Sequence, residues 1–490
     1  MKDEPTVEVD SRWRVCNGHV YGLQQPSIQG IISGNLSDEY SFAELDAFFD
    51  KLVVEDLPEE ISRIGGLAGI VHRIIYWLLA IKRQNRIPTS YIYQCNSLAN
   101  NTTDFCQSFL AIVPTFNPEA DGKIIPWIRN AIAPFVYNIG HIKSRLISIT
   151  AEFEQLENDL QLYSLVGQNN IFLYHAAFNL GIPIQPVLSN LNLVGTGNLS
   201  RLVLSTITDT TSSIGVSIAK NKMRTAKLLR QSGLPVPEHY AAGNVAQALA
   251  IAKNLGYPVV VQPWDQEQGL GVFAGLLSEG DVEEAFLSAQ KHSNNILVER
   301  HFEGVGHRLT VCMEQVIKAT KKLPGGVVGD GEKTIIQLLD KVIEESKIRK
   351  LYVTNKSTLS LDAEALSLLR EKGFHENHVP AKNEHIPLRR KNNATTGGLT
   401  INLQIDQVHP DNLSLAIRAA KILRLDLAGI DLLIKDISRS WTEIGAIICE
   451  VNAQPQTDIE TAGTLLQLIT NGRCEIPCHL IVYASSKEIS

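Results

Sequence analysis

No apolar run in this 490-residue chain is long enough to cross a membrane comfortably. The most apolar stretch, Leu67–Ile81, is interrupted by His72 and Arg73 and falls short of the ~20 residues a spanning helix needs. It therefore reads as a buried or interface helix. The N-terminal MKDEPTVEVD has no apolar signal core, so export is not expected and a cytoplasmic location is. Positive charge is in deficit: 45 Lys and Arg face 52 Asp and Glu, a net charge of -7. That excludes a general binder of nucleic acid or anionic membrane, which needs a basic excess to neutralise phosphates. The 7 cysteines (16, 95, 106, 312, 449, 474 and 478) are too few and scattered for a disulfide framework. Only Cys474 and Cys478 are close together, and no histidine near them completes a zinc spacing. His375, His378 and His385 cluster without further soft ligands and read as solvated loop residues. There is no P-loop of the form GxxxxGK[ST]. What remains, 44% apolar and 20% charged residues, is ordinary for a soluble small-molecule enzyme. The length predicts two or three domains.

The most informative stretch is Leu427–Gln456, LAGIDLLIKDISRSWTEIGAIICEVNAQPQ. Two apolar runs, Gly429–Ile434 and Ile444–Val451, flank the polar Lys435–Thr442, the pattern of two neighbouring strands joined by a loop. Glu450 and Asn452 are two apart and leave one face of a strand, and Asp431 faces Glu450 if the pair is a hairpin. Opposed carboxylates repel unless a positive charge lies between them, and an Asp, Glu and Asn set suits Mg²⁺ bridging nucleotide phosphates. A surface hairpin with solvated acids has the same spacing.

Residues 1 to about 185 open with strand-like RWRVCNGHVYGLQQPSIQGIISG, continue through acidic helical patterning near Ser41–Leu57, and reach a long amphipathic pattern at Ile142–Tyr163. No catalytic constellation stands out there. This domain reads as substrate-holding, oligomerising or purely structural. From Phe172 the pattern is α/β or α+β: helical HAAFNLGIP, a strand pair around Val187–Leu204, a helix from Lys222 stopped at Gly233, then helix (Val245–Leu255), strand (Pro258–Gln262), helix (Asp281–Lys291) and strand (Asn295–Glu299). Between the last two strands lies the loop Asp265–Val272, with Gln268, Gly269 and Gly271. Glycines let backbone N–H groups turn toward a phosphate, although such a loop is also an ordinary turn. GGVVGDG at Gly325–Gly331 leads into a helix over Lys333–Glu345. Arg389, Arg390 and Lys391 form either a cationic phosphoryl site or a solvated basic face.

In this order the pieces resemble the ATP-grasp fold, and most closely the ATP-grasp domain of cyanophycin synthetases. The resemblance runs from about Leu193 to Pro455. It rests on Gly195-Thr-Gly197, TSSIGVSIAKNK to Lys222, Gly233-Leu-Pro-Val-Pro237, Val298-Glu-Arg300, Val328-Gly-Asp-Gly331, Val379-Pro380, Leu388-Arg389, Thr396-Gly-Gly398, Val408-His-Pro-Asp-Asn412, Ala428-Gly-Ile-Asp431 and Glu450-Val-Asn452.

The resemblance implies an α+β fold of two subdomains clasping ATP; a separate N-terminal α/β domain is expected before it, with 1-185 and 186-490 as the division. It implies that Lys222 meets an ATP phosphate, that the 265–272 loop (Gln268, Gly269, Gly271) closes over the triphosphate, and that Glu299 takes the adenine amino group or the ribose. Asp431, Glu450 and Asn452 would hold Mg²⁺, and Arg308 and Arg389 would neutralise the transferred phosphoryl group. The chemistry implied is phosphorylation of a carboxylate by ATP and attack of an amine on the acyl-phosphate, on amino acids or small peptides. A homo-oligomer without nucleic-acid or membrane partners is expected.

Two departures from the family stand out. Cyanophycin synthetases continue into a Mur-ligase-like domain, whereas this sequence ends about 35 residues after Pro455, so polymerisation by two alternating ligations is not expected. At Gln262 the family carries a lysine that contacts nucleotide phosphates, which implies weaker nucleotide binding here. The alternatives are a nucleotide-binding regulatory homologue without ligase activity and a phosphotransferase that stops at phosphorylation.

Overall fold

The computed structural model describes residues 5–17, 22–23, 25–98, 106–137, 142–188, 190–266, 270–349, 359–389 and 398–472. The chain forms two compact units, Met1–Leu204 together with Ala462–Ser490, and Ser205–Thr461. The first division thus falls later than 185/186, because the strands Leu191–Val194 and Arg201–Leu204 go with the first unit.

The first unit is built on an antiparallel sheet in the order Thr6–Val9, Ser27–Asn35, Gln107–Pro114, Gln94–Leu98, with Arg14–Cys16 also pairing to Ser27–Asn35. The apolar run read from the sequence is the buried helix Gly66–Gln84, in which Leu67, Ile70, Val71, Ile74, Ile75 and Leu78 are at most 2% exposed. It also carries charge into the core. Arg73 forks onto Asp46 at 2.8 and 3.0 Å and donates to the carbonyls of Ile61, Ser62, Ile64 and Gly69. Lys82 lies 2.8 Å from Asp121 Oδ1 and donates to Pro114 O at 2.7 Å. Burial, opposed by Asp121, holds the Lys82 ammonium below its ordinary pKa.

The second unit holds two larger antiparallel sheets, each with one face packed on helices, and a two-stranded pair, Gly326–Val328 with His385–Pro387. The first runs His239–Ala242, Ile296–Arg300, Val259–Pro263, Phe273–Leu276. The helices Val245–Leu255 and Glu279–Gln290 back it, packing Ala248, Ala252, Val282 and Phe286 against Val259, Val261 and Val298. Both start where the sequence supplies a cap: Asn244 accepts from the Gln247 N–H, and Ser278 and Asp281 cap reciprocally. Because side chains alternate, burying Val259 and Val261 turns Val260 and Gln262 to the other face.

The second sheet runs Leu399–Leu403, Gln315–Leu323, Val305–Cys312, Leu427–Ile434, Ala446–Asn452. On one face Leu309, Val311, Ile430, Leu432 and Val451 pack with Leu415, Ala416 and Ala419 of the helix Pro410–Ile422. The opposite face is therefore left to the intervening residues Gly306, Arg308, Thr310, Gly429 and Asp431. The helix Lys222–Gln231, capped by the Asn221 side chain, adds Leu229 to the same apolar cluster and so fixes Lys222 at its first turn. Among the described residues, no helix is long and apolar enough to cross a membrane.

Candidate active site

The antiparallel register places Thr320, Arg308, Asp431 and Glu450 in one row across four strands. The next row on that face is Lys318, Thr310, Gly429 and Asn452. Asp431 therefore does oppose Glu450, and Asn452 shares their face. Beyond this pair the register shifts: Leu432 pairs with Ile448, which leaves Cys449 as the extra residue of a bulge.

Positive charge lies against Asp431. Arg308 donates from Nε to Oδ1 at 2.5 Å and from Nη2 to Oδ2 at 2.8 Å, a bidentate fork. Lys322 Nζ approaches Oδ1 at 2.8 Å from the strand beyond. Burial works to raise the Asp431 carboxyl, and Arg308 and then Lys322 outweigh it, so the group lies below its ordinary range. Burial likewise opposes the charge on Arg308, and Asp431 with Glu450 more than restores it. Gly429 makes the fork possible, since a Cβ there would meet Arg308 Nη1 at 2.5 Å and Pro455 Cβ at 3.0 Å.

A second polar string comes from the other sheet. Lys222 Nζ donates to Gln262 Oε1 at 3.3 Å, and Gln262 Nε2 donates to Glu299 Oε1 at 2.5 Å. Glu299 is 8% exposed; burial raises its carboxyl, against the pull of the Gln262 hydrogen bond and the Lys222 charge. His239, directly across the sheet, is driven down to about 4 by burial and Arg230, so it faces Glu299 as a neutral ring. Both strings act electrostatically on the Cys449 thiol, which burial, Asp431 and Glu299 push upward, against Lys322 and Lys222. Lys222, Thr225, Cys449 and Glu450 line one crevice.

The structure thus brings together Lys222, Gln262 and Glu299, and separately Arg308, Asp431, Glu450 and Asn452. Arg389 has other partners. The residue is 6% exposed, and its guanidinium reaches Asp362 at 2.9 Å and 3.1 Å and donates to the carbonyls of Ser360 and Leu388. Gly271 lies at φ +72 with Pro263 against it, a position suited to glycine. Gln268 and Gly269 of the same loop, Arg390, Lys391, Thr396 and Gly397, and Cys474 and Cys478, lie outside the described residues. Lys322 and Gly429 are the site residues that sequence reasoning did not single out. The signal for Lys322 was the pair Lys321-Lys322 in a strand-forming run, visible only once its strand is placed.

An oxygen donor set of two carboxylates and an amide on adjacent rows suits a hard divalent cation. No group of three His, Cys, Asp or Glu that could hold a metal occurs among the described residues, so any such site here depends on Asn452 as well.

The family model of the RimK-like ATP-grasp domain matches residues 388–467, which contain Asp431, Glu450 and Asn452. Over residues 388–467 the chain is thus similar to the RimK-like class of ATP-grasp domains, and the α+β fold of the second unit is the ATP-grasp fold. Within that class the chain is similar to cyanophycin synthetases. It is 33% identical to the cyanophycin synthetase of Trichormus variabilis over 314 residues, covering 62% of this chain and 34% of that one. To the cyanophycin synthetase of Geminocystis herdmanii it is 33% identical over 267 residues, 54% of this chain and 30% of the relative. It is also 28% identical over 260 residues to the glutathione biosynthesis bifunctional protein of Clostridium perfringens, covering 52% and 33%. The chain spans about a third of the length of the curated relatives it matches.

Proposed function

We propose that the second unit is an ATP-dependent carboxylate–amine ligase that forms one amide or peptide bond on an amino acid or small peptide, through an acyl-phosphate and with release of ADP and phosphate. The observation that carries this reading is the row Arg308, Asp431, Glu450, with Asn452 beside it, on the open polar face of one sheet. Glu450 and Asn452, with Asp431, would hold Mg²⁺, which when bound supplies charge to the phosphates of ATP. Lys222 would bind a phosphate through its ammonium, with Gln262 and Glu299 fixing its direction. Arg308 is anchored by Asp431 and presents its remaining donors where charge develops on a transferred phosphoryl group. Phosphoryl transfer needs little covalent help from the protein; fixed position and positive charge suffice. The similar proteins are named for cyanophycin and glutathione synthesis, which favours amino-acid and peptide substrates here. The first unit would hold substrate or join copies of the chain, and the reading places the enzyme in the cytoplasm.

The test is phosphate release from ATP in pools of carboxylates and amines, with mass spectrometry of the products. Release that requires both an acid and an amine is expected. Release with acid alone and a stable acyl-phosphate would make the protein a phosphotransferase, and nucleotide binding without release would make it a regulatory homologue.

A further inference from the structure

Lys322 is not where a lysine serving only its own strand would be. The strand Gln315–Leu323 is separated from Leu427–Ile434 by Val305–Cys312. At ordinary strand spacing that is about 10 Å, so the butylammonium arm must extend across the intervening strand to bring Nζ 2.8 Å from Asp431. The carboxylate it reaches already has a bidentate partner in Arg308. The two contacts differ in kind. Arg308 is a planar fork matched to both oxygens, whereas Lys322 is a point charge on a flexible stem, with one oxygen and 29% of its side chain exposed. Of the two cations, Lys322 is the one that leaves at lower cost.

Charge balance gives it somewhere to go. Lys222, Arg308 and Lys322 face Glu299, Asp431 and Glu450, so these six groups cancel before any ligand arrives. A polyphosphate brings negative charge, and a divalent cation taking up Asp431 releases a positive one. Lys322 and Lys222 are both electrostatic neighbours of Cys449, on the wall of the crevice shared by Lys222 and Glu450. We propose that Lys322 is a phosphate-contacting residue of this site, held on Asp431 in the free protein and transferred to a phosphoryl oxygen when a divalent cation takes Asp431 over. The proposal rests on the nucleotide reading above.

The test is calorimetry of the full chain and its Lys322→Met and Lys322→Arg variants with Mg²⁺ and the non-hydrolysable analogue AMPPNP, alongside adenosine and Mn²⁺ alone. Lys322→Met should bind the analogue roughly tenfold more weakly, the size of one lost charge-assisted contact, with adenosine unchanged and Lys322→Arg recovering most of the loss. Mn²⁺ alone should bind Lys322→Met more tightly, because the metal no longer displaces a cation. Unchanged analogue binding would show that Lys322 only balances Asp431. Equal losses for adenosine and the analogue would show a structural prop, and weaker Mn²⁺ binding would overturn the exchange. A wild-type protein that binds no analogue at all overturns the nucleotide reading itself, an outcome distinct from an unaffected Lys322→Met.

Discussion

The two units bury cations in opposite ways. In the first, Arg73, Lys82 and Arg83 are at most 2% exposed, and each is closed onto an acid: Asp46, Asp121 and Glu55. Pro114 O takes a further hydrogen bond from Lys82, and four carbonyls take them from Arg73. In the second, Arg308 and Lys322 keep 22% and 29% of their side chains exposed around one shared acid, on the face opposite the helix Pro410–Ile422. A cation sealed onto an acid inside the core is closed to solution and serves to hold the fold. A pair left half-open on a polar sheet face retains donors for something that arrives from solution. Burial of charge is thus uninformative about function until the surroundings of the charge are known.

The strongest way to break this comparison is in the open row. Asp431→Asn or Glu450→Gln should abolish turnover in a protein that remains folded, since each removes a charge that holds the cations and the metal in place. Phosphate release and circular dichroism on the same preparation check this, and a folded Glu450→Gln with wild-type activity would remove the row from the site. The next largest effect belongs to the sealed pair. Asp121→Ala should cost about 3–5 kcal/mol of stability by stranding Lys82, read as a lower urea midpoint. Adding Lys82→Met should recover much of it, because the stranded charge goes with the lysine.

Much of the second unit was legible from the sequence because its signals are local. Helix Val245–Leu255 has the expected bounds, strands Val259–Pro263 and Ile296–Arg300 lie within a residue or so of theirs, and the hairpin register opposes Asp431 to Glu450. The strands Val305–Cys312 and Gln315–Leu323 were harder, for a definite reason. Their turn is Met313-Glu314, both at positive φ (44° and 64°), where hairpins ordinarily announce themselves with Asn-Gly or Asp-Gly. Without that turn the strand of Lys322 could not be set beside Arg308, and its role stayed hidden. Arg73 and Lys82 were opaque for a similar reason: only the folded sheet and loops show which charges an apolar helix closes over. The contact of Arg389 with Asp362, 27 residues away, is long-range in the same sense.

Arg389 is the residue that sharpens the comparison most, since its 6% exposure resembles the sealed cations while the family resemblance gives it a place at the phosphoryl group. Arg389→Ala should lower the maximal rate more than nucleotide affinity, by up to about 3 kcal/mol, the usual loss of one such donor. Asp362→Asn, which loosens the guanidinium without removing it, should cost less than about 1 kcal/mol in rate. If both variants instead lose stability equally at unchanged rate per folded molecule, Arg389 is a clasp of the Lys82 kind.

The smallest effect is expected at Gln262, and its geometry says why. The amide is used at both ends, accepting from Lys222 at 3.3 Å and donating to Glu299 at 2.5 Å. A lysine there would gain Glu299 as an ion-pair partner but would face Lys222, and two like charges ~4 Å apart at an effective dielectric of 20 repel by about 4 kcal/mol, comparable with the attraction gained. The terms largely cancel until a phosphate arrives, when the added charge contributes. With Lys322 supplying charge to the same ligand, Gln262→Lys should tighten analogue binding by less than about threefold, under 1 kcal/mol. In a Lys322→Met background the same substitution should tighten it close to tenfold, because the site then lacks a cation. Calorimetry of the two single variants and the double variant measures the coupling directly. A tenfold gain in both backgrounds would mean that Gln262 marks an independent missing charge. No gain in either would mean that its strand lies away from the phosphates, and that Gln262 serves only to join Lys222 to Glu299.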